Sequence, residues 1–501
     1  MKPTLKVRAL LFCSTLTAAP CVIAATNYTN TSADDWTTAG NWSGGTVPSG
    51  AFNQRINISG GTTVTFGTAQ GTVSIGSSVA ADLRPLVLAQ TAGTATLNIT
   101  GGTLQANSTA TGLSLIGSNV NGSTGILNIS GGLLDLTTGS SNATNLGIGL
   151  VQTNSTANVS GTVTMSGSGT LKVNGFLFNE GGALTTGTGT INGTLNLNGG
   201  TFEANVIRES TGANQSHVTS TVNFNGGLLK LTSTSGGISN SITNANVLAG
   251  GAIIEVGTGI NAPVNKALTA GSIAGGLTKQ GNGTLTLGAT NTYTGETIVK
   301  AGTLKLNAST TIATSSKITV GDTGSSGTVL DVTSAGITVG STQTLAGIGT
   351  LLATGQTVSV DGILAPGNSP GTLTIDGGTL ALGSAANLSF ELNPANNAVG
   401  GGVNDLVSVL GNLTLDGILN VAPSSGDFLS ATIGTAWRLF DYTGTLTNNT
   451  VSLGSMPSLG AGLNWGFDTA TPGQVNLVVI PEPAAAFLGS LGLLALLRRR
   501  R

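Results

Sequence analysis

The chain has 501 residues, 78 of them glycine, with only 8% charged and 4% aromatic. Its 18 Lys+Arg and 20 Asp+Glu leave no basic stripe of the kind a nucleic-acid binder needs. Solubility must rest on Thr, Ser and Asn, and the single histidine, His217, excludes a His-rich metal centre.

At the N-terminus, Lys2, Lys6 and Arg8 form a positive segment, Ala9 to Ala19 is mostly apolar, and Val22-Ile23-Ala24-Ala25 ends in small residues. This is the pattern of a secretory signal peptide over residues 1–25, cleaved after Ala24 or Ala25. Cys21 offers a lipoprotein alternative, although Pro20 before it fits a lipobox poorly. Both cysteines, Cys13 and Cys21, fall inside the signal. The mature chain must therefore hold its fold without disulfides, and it has no cysteine nucleophile or cysteine metal site. Removing three basic residues here and four at the C-terminus leaves 11 basic against 20 acidic residues, a net charge near −9.

Residues 26–93 contain Trp36, Asn41-Trp42, Pro48 and Phe52 and are expected to cap the first turn of a repetitive body. Exposed solenoid ends need such caps to prevent edge-to-edge pairing. The body, 94–386, is built of short alternating runs closed by glycine. Examples are Thr96-Leu97-Asn98-Ile99-Thr100-Gly101-Gly102, Ile126-Leu127-Asn128-Ile129-Ser130-Gly131-Gly132 and Ala157-Asn158-Val159-Ser160-Gly161. Ile99, Ile129 and Val159 are spaced by 30 and 30. Alternation at period 2 puts one side chain in and the next out, so Leu127 and Ile129 point in while Asn128 and Ser130 point out. Glycine pairs supply positive φ at the corners. A unit that cannot bury its own face must stack on copies of itself. The expected fold is all-β: a right-handed parallel β-solenoid, or β-helix. Its thin core suits Leu, Val and Ile and leaves little room for Trp or Tyr. At 30 residues per rung, about 10 rungs at ~4.8 Å give a rod of about 50 Å.

Gly275 to Leu306 reads GGLTKQGNGTLTLGATNTYTGETIVKAGTLKL. Its Leu-Thr-Lys, Thr-Leu-Thr-Leu, Asn-Thr-Tyr-Thr-Gly and Ala-Gly-Thr-Leu segments resemble the autotransporter-associated β-strand repeat, a passenger-domain module. Ile363 to Gly371 (ILAPGNSPG) resembles the turn that often follows such repeats. Autotransporters end in a translocator barrel of amphipathic strands. This chain instead ends in an apolar segment, so self-translocation is not supported.

Residues 387–480 are expected to form a β-rich C-terminal domain. Its candidate strands are Leu388 to Leu392, Asp405 to Val409, Leu413 to Val421, Ala436 to Asp441 and Gln474 to Val479, and Trp437, Phe440, Tyr442 and Trp465 enrich it in aromatics. The tail, 481–501, reads Pro481-Glu482-Pro483, an apolar segment from Ala484 to Leu497, then Arg498, Arg499, Arg500 and Arg501. As a helix the apolar segment spans about 21 Å, short of the ~30 Å hydrocarbon core, with the arginines on the cytoplasmic side. That geometry serves a temporary hold in the membrane or an ordinary C-terminal anchor. In order and spacing the tail resembles the PEP-CTERM sorting signal of Gram-negative, biofilm-forming bacteria. The resemblance implies a transmembrane sorting helix, recognition by an exosortase-type transpeptidase after export by the secretion machinery, and cleavage near Pro481-Glu482-Pro483. A transient inner-membrane hold would then give way to the cell surface or matrix, in an envelope that makes exopolysaccharide.

Little in the body points to catalysis. A glycosidase needs two carboxyl groups about 5–9.5 Å apart. Asp34-Asp35 is the only adjacent acidic pair, and neighbours on a strand face opposite ways. Asp135, Glu180, Glu203, Glu209 and Glu255 are scattered. Asp361-Gly362, Asp376-Gly377 and Asp416-Gly417 read as turns, and His217 as a loop residue. No cofactor, metal or nucleotide motif is present in the sequence. The reading is a non-enzymatic, exported surface or matrix rod that associates with exopolysaccharide or a cell-surface glycan, or acts in adhesion to neighbouring cells and in biofilm. A carbohydrate-active β-helix enzyme and a passive envelope spacer are the alternatives.

Overall fold

The structure is a computed structural model. It describes residues 25–482 apart from 29–35, 44, 53–54, 77–84, 107–112, 118–119, 138–145, 151–155, 181–187, 210–216, 308–311, 323, 326 and 368–369. Ala24, Asp34, Asp35, Pro483, the apolar segment Ala484 to Leu497 and Arg498 to Arg501 lie outside the described residues. Among the described residues no helix is long and apolar enough to cross a membrane.

The expected all-β architecture is present. Strands lie one above another in parallel register and belong to one continuous sheet. The reason is legible in a single stacked column. Leu97, Leu127, Val163, Leu195, Val222 and Ala245 are register partners on successive turns, and all are fully buried. Ile99, Ile129, Met165, Leu197, Phe224 and Val247 form the column beside it. Burying each such side chain contributes roughly 1.5–3 kcal/mol. Because the side-chain period is 2, every turn must present the same parity to the core.

The rungs are less uniform than a period of 30 predicts. Asn128 lies 30 residues above Asn98, but Val159 pairs with Ser123, and the partner of Ile129 is Met165. The third copy therefore sits six residues late, with two of the extra residues between Ser123–Asp135 and Leu146–Leu150 and four between Leu146–Leu150 and Val159–Met165. Further along, rungs shorten: Asn223 lies 27 residues above Asn196 and Asn246 only 23 above Asn223. Leu277 pairs with Thr297 and Thr297 with Ile318, steps of 20 and 21. Corners and loops absorb these differences while strand register is kept. One ladder consequently stacks sixteen strands, from Gly50–Phe52 to Ser452–Leu453, a rod of about 70 Å.

Aromatic clusters close both ends. Trp36 and Trp42 are buried, with Trp36 edge-on to Trp42 at 4.8 Å and to Phe66 at 5.0 Å. Their indole N–H groups donate to Pro48 O and Trp36 O. Parallel pairing already begins at Ala25–Tyr28, which pairs with Arg55–Ile58. At the other end, parallel pairing runs past Asn387 to Ser452–Leu453. The segment read as one strand from Leu413 to Val421 is two, Leu406–Leu415 and Ile418–Pro423, divided at Gly417 with φ 102°. Gln474–Pro481 then pairs antiparallel with both Ala436–Tyr442 and Leu463–Asp468, over a cluster in which Phe428 stacks edge-on to Trp437 and Trp465.

Corner glycines are required by close approach as well as by φ. Gly132 has φ +70°, and a Cβ there would lie 2.5 Å from Gly101 C and Gly102 O on the rung below. Gly122 has φ +76° and open space around it. Gly122→Ala should therefore cost about 1–2 kcal/mol, the left-handed penalty alone. Gly132→Ala should cost clearly more and lower the denaturant midpoint further; equal losses in the two variants would show that rung-to-rung approach is not limiting.

Candidate binding face

The outward residues of one ladder form a regular array. Thr65, Asn98, Asn128, Thr164, Asn196, Asn223, Asn246 and Thr269 are register partners on eight successive strands. Amides join them along the rod. Asn128 Nδ2 donates to Asn98 Oδ1 at 2.9 Å, Asn223 Nδ2 to Asn196 Oδ1 at 2.8 Å, and Asn246 Nδ2 to Asn223 Oδ1 at 3.0 Å. Thr269 Oγ1 donates to Asn246 Oδ1 at 3.2 Å. Beside this column runs a second, of Thr96, Ile126, Thr162, Thr194, Thr221 and Asn244. Neither column contains a charge. Apart from Ile126, the two columns thus present hydroxyl and amide groups every ~4.8 Å along the rod and about 6.7 Å across it, with the amides of Asn128, Asn196, Asn223 and Asn246 each held by the rung below.

The adjoining face carries the charges. The scattered carboxylates of the sequence are brought together in part. Asp135, Lys172, Glu203, Lys230 and Glu255 are successive register partners, alternating in sign. Lys230 Nζ sits 3.9 Å from Glu203 and 3.6 Å from Glu255. These pairs are partly exposed and contribute on the order of 0–1 kcal/mol each. Glu180 lies in a different ladder, paired to Leu150. Glu209 points into the core and accepts a 2.5 Å hydrogen bond from Ser220 Oγ; burial raises its pKa, with Ser220 and Lys266 pulling it down. His217 stands half-exposed just before Val218–Phe224. Asp416 accepts its turn from Gly417 N–H, and Asp376 sits at a bulge in Thr372–Leu382. Among the described residues no group of His, Cys, Asp and Glu could hold a metal ion.

The short rungs bury polar groups that no catalytic-pair spacing in the sequence marks. In Leu277–Gln280 the parity of Leu277 puts Lys279 inward as well, and its side chain is fully buried. Lys279 Nζ donates to Gln280 O, Gly281 O and Ala301 O at 2.9, 2.6 and 3.0 Å, tying one corner to the next. Burial pushes the ammonium down to about 8, against an opposing pull from Glu255. Tyr293 is also buried, contrary to the expectation of a core without tyrosine. It fits because its hydroxyl joins Thr297 Oγ1 at 2.7 Å, which joins Ser315 Oγ at 2.9 Å. Asn291 Oδ1 accepts from Leu268 N–H on the preceding rung. The turn over Ile363 to Gly371 is tied down by buried Asp405, which accepts from Gly371 N–H at 2.8 Å and Glu391 N–H at 2.7 Å. Burial pushes that carboxyl up to about 7, the two N–H groups acting against it.

Of the tail residues that resemble a sorting signal in sequence, Pro481 pairs with Leu463 and Glu482 N–H donates to Gly462 O at 2.9 Å. Ala25 opens the first parallel strand, opposite Arg55.

Stacked parallel rungs with internally tied turns define a β-solenoid. Residues 277–306 match the Passenger-associated-transport-repeat family, which bears out the resemblance of Gly275 to Leu306. A stretch of 124 residues is 48% identical to part of the adhesin BmaC autotransporter of Brucella suis biovar 1 (strain 1330). The match takes in 25% of this chain and 3% of that much longer protein.

Two outcomes follow. Asn223→Ala removes both ladder bonds of one amide and should cost about 1 kcal/mol, whereas Asn223→Thr, the residue found at Thr164, should recover part of it in a chemical-denaturation series. For Lys279 the folded value lies below the ordinary 10.5, so the unfolded chain holds more protons between about pH 8 and 10.5. Stability should rise over that window and fall as pH drops through about 8. Lys279→Met should flatten this rise; an unchanged pH profile would contradict the burial of its charge.

Proposed function

We propose that the chain is the rod of an exported, non-enzymatic surface protein that adheres to glycans through its amide face. The observation that carries this reading is the uncharged, rung-by-rung array from Thr65 to Thr269. Weak contacts repeated at fixed spacing gain by avidity what each lacks alone. The similarity to part of an adhesin supports the same reading. The coil is taken as right-handed, the hand of nearly all parallel crossovers. The tail carries the address: Pro481, Glu482, Pro483 and Arg498 to Arg501 are the residues an exosortase-type transpeptidase would read, after a transient inner-membrane hold. The partner is then exopolysaccharide or a cell-surface glycan.

The enzymatic alternative has one feature to its credit, Glu203 and Glu255 on one face. Both sit in partly exposed ion pairs with the same Lys230, an arrangement a structural charge ladder accounts for, and reducing ends should not accumulate when the protein meets polysaccharide.

The mature protein from the producing organism should bind that organism's polysaccharide or cells. Alanine at Asn128, Asn196, Asn223 and Asn246 together should weaken binding more than the product of single losses, and added salt should change it little. Retention unaffected by the quadruple variant would remove the amide face from the reading. Peptides from Asn476 onward in the same preparation should lack Arg498 to Arg501; their presence would defeat the sorting reading.

A further inference from the structure

The rod's two halves differ in surface character. Among the described residues, Ile273 is the only large apolar side chain left exposed before Val399, and seven follow from there. Three of them gather where the chain leaves the fold. Gly434 N–H donates to Val479 O, and Val479 N–H to Thr435 O, which sets Ile433 beside Ile480. Leu463 pairs with Pro481 and its N–H donates to Gly460 O; a Cβ on Gly460 would lie 3.0 Å from Leu429 O. Leu429, Ile433 and Ile480 are 55%, 61% and 37% exposed. The nearby Asp427 turns its carboxylate back onto Leu429 N–H at 3.1 Å.

Two residues after Ile480 the chain passes Glu482 and enters the apolar run Ala484 to Leu497. Even fully helical, those residues reach about 21 Å across a core of about 30 Å. An apolar surface lying at the interface sinks about 5–10 Å, which is the size of the shortfall. Glu482 limits the depth, since a carboxylate stays at headgroup level.

We propose that Leu429, Ile433 and Ile480 form a foot that rests in the lipid interface for as long as the tail is attached. The foot completes a membrane hold that the tail alone is too short to make. This rests on the reading that the tail enters a membrane.

The test uses the full mature chain, residues 26–501, which has no cysteine of its own, floated with vesicles of phosphatidylethanolamine and phosphatidylglycerol. Nitroxide labels are placed one at a time through Ile433→Cys, Ile480→Cys and the distant Ile273→Cys, with Leu429→Cys held as a second foot position should either of the first two fail to fold. In floated protein, collision with oxygen relative to a water-soluble nickel chelate should be several-fold higher at the foot than at 273. Foot labels as water-exposed as 273 in floated protein overturn the foot and leave the tail reading standing. Failure of the full chain to float overturns both.

Discussion

Parallel, in-register backbone pairing is the constraint on which everything else here depends. Each strand's N–H and C=O groups find partners only in the rung above and the rung below. A rung cannot shift without orphaning them, and an orphaned buried backbone group costs about as much as a lost hydrogen bond. Register therefore outranks loop length: steps of 36 and 20 residues coexist in one rod, while Leu97, Leu127 and Val163 stay aligned. The same constraint explains the ends. A terminal rung has a free edge, and the tryptophans at 36, 42, 437 and 465 cover the core there, where their bulk is not limited by a neighbouring turn.

Narrow rungs bring a second problem. A coil of about 20 residues leaves little room for a wide apolar core, and its corners expose carbonyls to the interior. Lys279, Asn291 and Ser315 answer this with side-chain bonds to backbone, and Tyr293 and Ser315 meet through Thr297. A buried lysine surrounded by three carbonyls is an expensive way to fill a core, yet it closes two corners at once. These residues all lie in or beside the segment 277–306 that matches a known passenger repeat. In the repeat these polar bonds act alongside the buried apolar residues Leu277, Leu285, Leu287, Val299 and Leu304.

Much of this was legible from the residues. Alternation in Leu127-Asn128-Ile129 correctly separated core from surface, and the paired glycines marked corners. Near the C-terminus, Leu388 to Leu392, Ala436 to Asp441 and Gln474 to Val479 agree with the observed strands to within two residues, whereas the break at Gly417 and the strands Leu446–Asn448, Ser452–Leu453 and Leu463–Asp468 had no clear signal in the sequence. What was hidden depended on register. Val159 looked like a third copy at a period of 30, but the true step of 36 could only be known from which strands pair. The alignment of Asp135, Glu203 and Glu255 with two lysines was invisible for the same reason, since unequal rungs scramble any fixed spacing. Lys279 shares the parity of Leu277, but a lysine is rarely found inside, so the alternation alone does not mark it as core.

The alternating column from Asp135 to Glu255 gives the rod a parity that its apolar core lacks. Leucine stacked on isoleucine looks much the same after a slip of one turn, so the core alone marks no absolute position along the axis. With charges alternating, a slip of one turn sets lysine on lysine and glutamate on glutamate, while a slip of two restores opposites. Rungs in this stretch are therefore counted in twos. A solenoid of this kind would tolerate gain or loss of a pair of turns more readily than of one, and its length on that face would change in steps of about 10 Å.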